Sequence, residues 1–100
     1  MRIIAKRTLQ LFWESGSRQL SAKASLEDWY ARTAAADWAT PAELRADFGD
    51  ASILKDGRVV FNVGGNRFRL VVRINYHYRV VYVRFVGTHQ QYDRIDASTV

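Results

Sequence analysis

Residues 67–88 read Arg67-Phe68-Arg69-Leu70-Val71-Val72-Arg73-Ile74-Asn75-Tyr76-His77-Tyr78-Arg79-Val80-Val81-Tyr82-Val83-Arg84-Phe85-Val86-Gly87-Thr88. Two runs rich in β-branched and aromatic residues flank a polar break at His77, the pattern of a hairpin. In the first run Phe68, Leu70, Val72 and Ile74 alternate with Arg67, Arg69 and Arg73. A two-residue turn near His77 makes paired residue numbers sum to an odd value, so even positions of one strand share a face with odd positions of the next. Phe68, Leu70, Val72 and Ile74 then join Val81, Val83 and Phe85 on an apolar face. The opposite face collects Arg67, Arg69, Arg73, Tyr82 and Arg84.

The neighbouring segments extend this pattern. Val59–Val63 is a further strand candidate, and Gly64-Gly65 is a hairpin turn in composition. That turn pairs Phe61 with Phe68 and Val59 with Leu70, which enlarges the apolar face, and sets Asn62 beside Arg67 on the polar one. Ile53-Leu54, followed by Asp56-Gly57, supplies one more short strand and turn. Arg2–Ala5 is a short β-prone run able to form a first strand. The expected sheet is an antiparallel meander.

Before Ile53 the period is helical. Leu9, Phe12 and Trp13 recur at helical spacing between Lys6 and Ser15, where Ser15-Gly16-Ser17 stops the run. Ser25-Leu26-Glu27-Asp28 resembles a capping box, although the next helix can also begin near Ser17. Leu26, Trp29, Tyr30 and Thr33 form its stripe. Thr40-Pro41-Ala42-Glu43 is a cleaner start signal, with Thr as cap, Pro in the first helical position and Glu reaching back. That helix ends near Phe48-Gly49. The fold class is therefore α+β, a small antiparallel sheet with N-terminal helices packed on one face and an arginine-lined groove on the other.

Length and composition narrow the function. One hundred residues suit one domain spanning 1–100, with about two thirds of the unfolded surface buried. The absence of cysteine excludes disulfides, Cys-ligated zinc, iron–sulfur clusters and thiol catalysis. Two histidines without cysteine argue against a dedicated metal site. The N-terminus turns charged within its first residues, matching neither a signal peptide nor a membrane span, so a cytoplasmic protein is expected. No dinucleotide-binding glycine motif, P-loop, HExxH or Gly-x-Ser-x-Gly pattern is present.

The net charge of +5 is unevenly placed. Residues 1–50 carry seven basic and seven acidic side chains, whereas residues 51–100 carry eight basic and three acidic ones. Seven of those eight cations are arginine, whose planar fork suits phosphate better than lysine does. Aligned arginines interleaved with tyrosine make a track for single-stranded RNA on an open sheet face. No helix-turn-helix pattern with a basic recognition helix supports reading of DNA. The plain alternative is a solvated basic surface without a ligand.

Beyond the last strand, Gly87-Thr88-His89-Gln90-Gln91-Tyr92-Asp93 gathers His89, Tyr92 and Asp93 within one helical turn. Histidine is the side chain best suited to exchange a proton near neutral pH, although such a trio is more often a capping or packing group. His77 reads as a turn residue.

Phe61-Asn62-Val63-Gly64-Gly65-Asn66, then Arg69-Leu70-Val71, and finally Thr88-His89-Gln90-Gln91-Tyr92-Asp93 resemble the HigB toxins, a branch of the RelE-like toxins of type II toxin–antitoxin systems. The resemblance implies a RelE-like fold and an mRNA interferase, a metal-independent endoribonuclease needing no cofactor that halts translation, in many relatives at the ribosome. It also implies attack of the ribose 2′-hydroxyl on the adjacent phosphate, giving a 2′,3′-cyclic phosphate. By this resemblance His89 transfers a proton, Arg69 stabilises the phosphorane, and Tyr92 and Asp93 orient His89 or share the proton transfer. Arg67, Arg73, Arg84, Asn66 and Tyr82 would hold RNA. The implied partners are mRNA, the ribosome and a HigA-like helix-turn-helix antitoxin, with promoter DNA reached only through the antitoxin complex and no membrane involved. Gln90 and Gln91 stand where family members often carry charge, so a weaker local electrostatic contribution is expected. The competing expectation is a non-catalytic RNA-binding, ribosome-binding or regulatory module on the same fold, which would tolerate loss of His89.

Overall fold

The computed structural model describes residues 1–100. In chain order the elements are β1 (Arg2–Ile4), α1 (Lys6–Trp13), α2 (Ser17–Leu20), α3 (Lys23–Ala35), α4 (Pro41–Asp47), β2 (Ser52–Ile53), β3 (Arg58–Val63), β4 (Phe68–Asn75), β5 (Val80–Thr88) and α5 (His89–Tyr92). No helix is long and apolar enough to cross a membrane.

The strands form one sheet in the order β1-β5-β4-β3-β2. β2 to β5 make the expected antiparallel meander, and β1 adds to β5 in parallel. Neighbours in a meander are joined by hairpins and must run oppositely, but β1 reaches the sheet edge through the helical layer and is free of that constraint. Helices Leu9, Trp13, Ala22, Leu26, Trp29 and Leu44 bury themselves against Val59, Phe61, Phe68, Leu70, Val72, Ile74 and Val81 of the sheet. Edge-to-face rings tie the layers together. Trp29 and Phe48 both meet Phe61, at 5.5 and 5.0 Å between centroids, and Trp38 meets Phe48 at 5.9 Å.

Local signals account for most boundaries. At α4, Thr40 Oγ1 accepts from the Glu43 amide at 3.3 Å while Glu43 Oε1 accepts from the Ala39 amide at 3.1 Å. Ser25, by contrast, lies inside α3 and caps nothing. Buried Ala22 already accepts from the Leu26 amide, so that helix has started before Ser25 is reached.

The registers differ from the sequence expectation in two places, both with consequences for the site. First, Val63 pairs with Phe68 and Phe61 with Leu70, because the turn takes four residues, Gly64 to Arg67. Gly64, Gly65 and Asn66 all have positive φ, a left-handed run longer than a two-residue turn holds. The shift is by two, so the choice of core face survives, but Arg67 moves off the strand and Asn62 comes opposite Arg69. Second, β5 pairs Val83 with Val72 but Phe85 with Val71, leaving Arg84 as a bulge. One extra residue reverses side-chain parity beyond it. Phe85, expected in the core, therefore faces outward with Val71, and Val86 packs inward.

The outer face is not an open groove. Residues after α5 fold back over its middle, where Tyr92, Ile95, Ala97 and Val100 pack with Val60, Val71, Leu54 and Phe85.

Candidate active site

Gly87 leads β5 into α5, and the first residues of α5 are fixed by a capping box. Thr88 Oγ1 accepts from the Gln91 amide at 3.2 Å, and Gln91 Oε1 accepts from the Thr88 amide at 2.8 Å. These bonds satisfy donors that a helix start otherwise leaves unpaired. The His89 amide donates to the Arg67 carbonyl at 3.2 Å, pinning α5 to the turn between β3 and β4.

On this scaffold His89 and Asp93 lie four residues apart, with Nδ1 and Oδ2 separated by 3.1 Å. An ionised carboxylate can only accept, so Nδ1 carries the proton of this bond and Nε2 is left for another partner. Both side chains are about half exposed, at 50% and 59%, and a substrate can reach them.

Arg69 is held differently. It is only 9% exposed, and one terminal nitrogen donates to the carbonyls of Asn66 at 2.9 Å and Phe68 at 3.2 Å. Its guanidinium lies 5.9 Å from the centre of the Tyr92 ring. The turn carbonyls thus fix the fork before any ligand arrives, with its charge stabilised by the π face below. Asn66 contributes its backbone carbonyl from a left-handed conformation, and Arg67 bonds back to Gly64 with its exposed side chain resting over Phe68.

Five of the residues singled out in the sequence, Asn66, Arg69, His89, Tyr92 and Asp93, therefore gather at one end of the outer face, while the Arg67 side chain, from the same turn, lies over the core residue Phe68. The other three do not join them. Arg73 and Tyr82 are register partners near the opposite end, and Arg84 is the bulge residue beside them. Arg69 and Arg73 are separated by about 13 Å along β4, at the usual rise of a strand. Arg73, Tyr82 and Arg84 line a separate open cavity of about 840 Å³. Arg58 and Tyr76 also line it, and sequence reading did not single them out. The true register, which sets Arg58 opposite Arg73, would have revealed the first of these.

The chain is thus a small α+β protein whose five-stranded mixed sheet has a basic outer face with a histidine–carboxylate pair at one end. The profile of the HigB toxins, described as the RelE-like toxic component of a toxin–antitoxin system, matches residues 22–95, and the chain belongs to that family. Over 55 residues it is 40% identical to the mRNA interferase toxin HigB of Escherichia coli K12 and to the mRNA interferase HigB of Shigella flexneri. That similarity spans about half the length of those relatives, 53%, and 53% of this chain. The mRNA interferase HigB of Escherichia coli O6:H1 is 28% identical over 97 residues, covering 95% of this chain and 91% of the relative.

Proposed function

We propose that this chain is an mRNA interferase, an endoribonuclease that cuts mRNA and thereby inhibits translation, and that the cluster of His89, Asp93, Arg69 and Tyr92 performs the cut. The observation that carries this reading is the His89–Asp93 pair at α5, whose Tyr92 ring lies 5.9 Å from the pre-positioned Arg69 guanidinium on a basic sheet face. Family membership and the names of the relatives support it.

The reaction is transesterification. The ribose 2′-oxygen bonds to the adjacent phosphorus, the bond from phosphorus to the 5′-oxygen breaks, and a 2′,3′-cyclic phosphate and a free 5′-hydroxyl result. One proton leaves the 2′-oxygen and one is delivered to the 5′-oxygen. His89 Nε2 serves one of these transfers, with Asp93 fixing the ring, and the Tyr92 hydroxyl serves the other. Arg69 offers its remaining donors to the phosphorane, whose charge exceeds that of the ground-state phosphate. No cofactor takes part in this scheme. Arg67 and Asn66 hold the strand at this end, and Arg73, Arg84 and Tyr82 hold it further along. The proposed setting is the cytoplasm, with the ribosome as the place of cleavage. A HigA-like helix-turn-helix antitoxin is the partner that suppresses activity and carries the pair to promoter DNA.

The test is induction of the chain in a host lacking the antitoxin, with primer extension of abundant mRNAs beside His89→Ala. Cuts within coding regions that vanish in the variant are expected, together with relief of growth arrest. Arrest without cuts would instead assign a binding protein that blocks translation by occupancy. Full toxicity of His89→Ala would remove the catalytic role given to that residue.

A further inference from the structure

α5 is four residues long, and a helix of that length has no stability of its own. The pairing of His89 with Asp93 nevertheless depends on it, because side chains four residues apart meet only while the turn between them is wound. Inside the turn the Asp93 amide donates to the His89 carbonyl at 3.0 Å. At its start the turn is closed by Gln91, whose Oε1 accepts from the Thr88 amide at 2.8 Å. Thr88 is buried, so an amide deprived of that acceptor is costly to leave unpaired.

The strand that leads into the helix leaves room for this bond. A side chain at Gly87 would begin 2.8 Å from Gln91 Oε1 and 2.6 Å from Cζ of Phe85, both closer than a Cβ atom tolerates. The Gln91 carboxamide thus fills the space that a side chain at position 87 would need. Gly87 is also the register partner of Arg69. One amide therefore joins the strand paired with Arg69 to the helix that carries His89.

We propose that Gln91 is a positioning residue for proton transfer at His89. Its Oε1, acting through the Thr88 amide, keeps α5 wound and so keeps Nδ1 of His89 on Asp93. The kinetic consequence rests on the ribonuclease reading above, whereas the geometric one does not. Gln91 acts here as an acceptor, and charge is not the property it supplies. Glutamine and glutamate both close a capping box, so the neutral residue at this position is no loss. The weaker electrostatic contribution expected from the sequence is then not what position 91 governs.

Two readouts on the full chain test this, with Gln91→Ala and Gln91→Glu beside the wild type. The first is nitrogen-15 NMR of the imidazoles at a pH where histidine is neutral, the His77 signals being those that persist in His89→Ala. Wild-type His89 is expected as the Nδ1–H tautomer. In Gln91→Ala its signals should move toward the Nε2–H form that free imidazole prefers, and in Gln91→Glu they should stay. The second readout is single-turnover cleavage. Gln91→Ala should cut about tenfold more slowly, a loss of orientation, with affinity for an uncleavable 2′-deoxy strand held within about twofold. Gln91→Glu should cut within about threefold of the wild type, because the capping box survives. A circular dichroism melt at the wild-type midpoint shows that neither change reflects global unfolding. Unchanged His89 signals in Gln91→Ala overturn the proposal. So does a Gln91→Glu variant as slow as Gln91→Ala, which would put the Gln91 amino group on the substrate. A Gln91→Glu variant clearly faster than the wild type also overturns it, since charge would then be what counts. If no form cuts RNA but the His89 signals shift in Gln91→Ala alone, the positioning role stands and the ribonuclease reading falls.

Discussion

His89 and Asp93 illustrate how a single hydrogen bond decides which atom is available for chemistry. The 3.1 Å contact of Nδ1 with the Asp93 carboxylate favours one tautomer and one ring orientation and leaves Nε2 free for another partner. An asparagine at position 93 keeps the size of the side chain but offers an amide that can donate to Nδ1 and favour the other tautomer. For Asp93→Asn, single-turnover cleavage should slow by about ten- to a hundredfold, a loss typical of a mispositioned proton-transfer group. Affinity for uncleavable RNA should stay within about twofold, since no phosphate contact is removed. An equal loss in affinity and rate would show that Asp93 acts on binding. Gln91 has a related but structural part. At this departure from the charge that resembling toxins often carry, the Gln91 amide closes the capping box that starts α5, so its carbonyl oxygen is committed to the Thr88 amide.

At the scale of elements, α3 carries a local inconsistency that can be tested. Thr33 is fully buried on its inward stripe, and its hydroxyl has no hydrogen-bond partner. Valine has nearly the same shape without the polar atom. Thr33→Val should therefore raise stability by about 1 kcal/mol, read as a higher urea midpoint with an unchanged m-value. A loss of stability would mean that the hydroxyl is satisfied in solution. Elements were also the level at which the sequence was most legible. The Thr40-Pro41-Glu43 cap and the alternation of Phe68, Leu70, Val72 and Ile74 act through neighbours a few residues apart, so local pattern is enough to read them. The gathering of Arg69, His89, Tyr92 and Asp93 was legible too, on the family pattern. Phe85 was misplaced because a bulge at Arg84 depends on how two strands settle against one another, which alternation alone does not encode. The fold-back of Ile95, Ala97 and Val100 has no period at all, and so the division of the outer face into two ends was hidden.

Across the whole molecule the charge asymmetry becomes spatial. The helical half is neutral, and the surplus cations of residues 51–100 fall largely on the sheet's outer face and its rim. A strand lying along that face releases condensed counterions as its phosphates are neutralised, so affinity must fall with salt. In the His89→Ala background, which binds without cutting, a plot of log affinity against log salt should be linear. Its slope should be about 0.7 for each phosphate contacted on a single strand. Adding R73A/R84A removes up to two such contacts and should flatten the slope by roughly 1 to 1.5. Arg18→Ala, an exposed arginine on α2 behind the sheet, changes the net charge by the same amount per residue but touches no strand in this arrangement. It should leave the slope as it was. If Arg18→Ala flattens the slope as much per charge as the outer-face pair does, RNA is held by the overall +5 field and not by the arginines of the sheet.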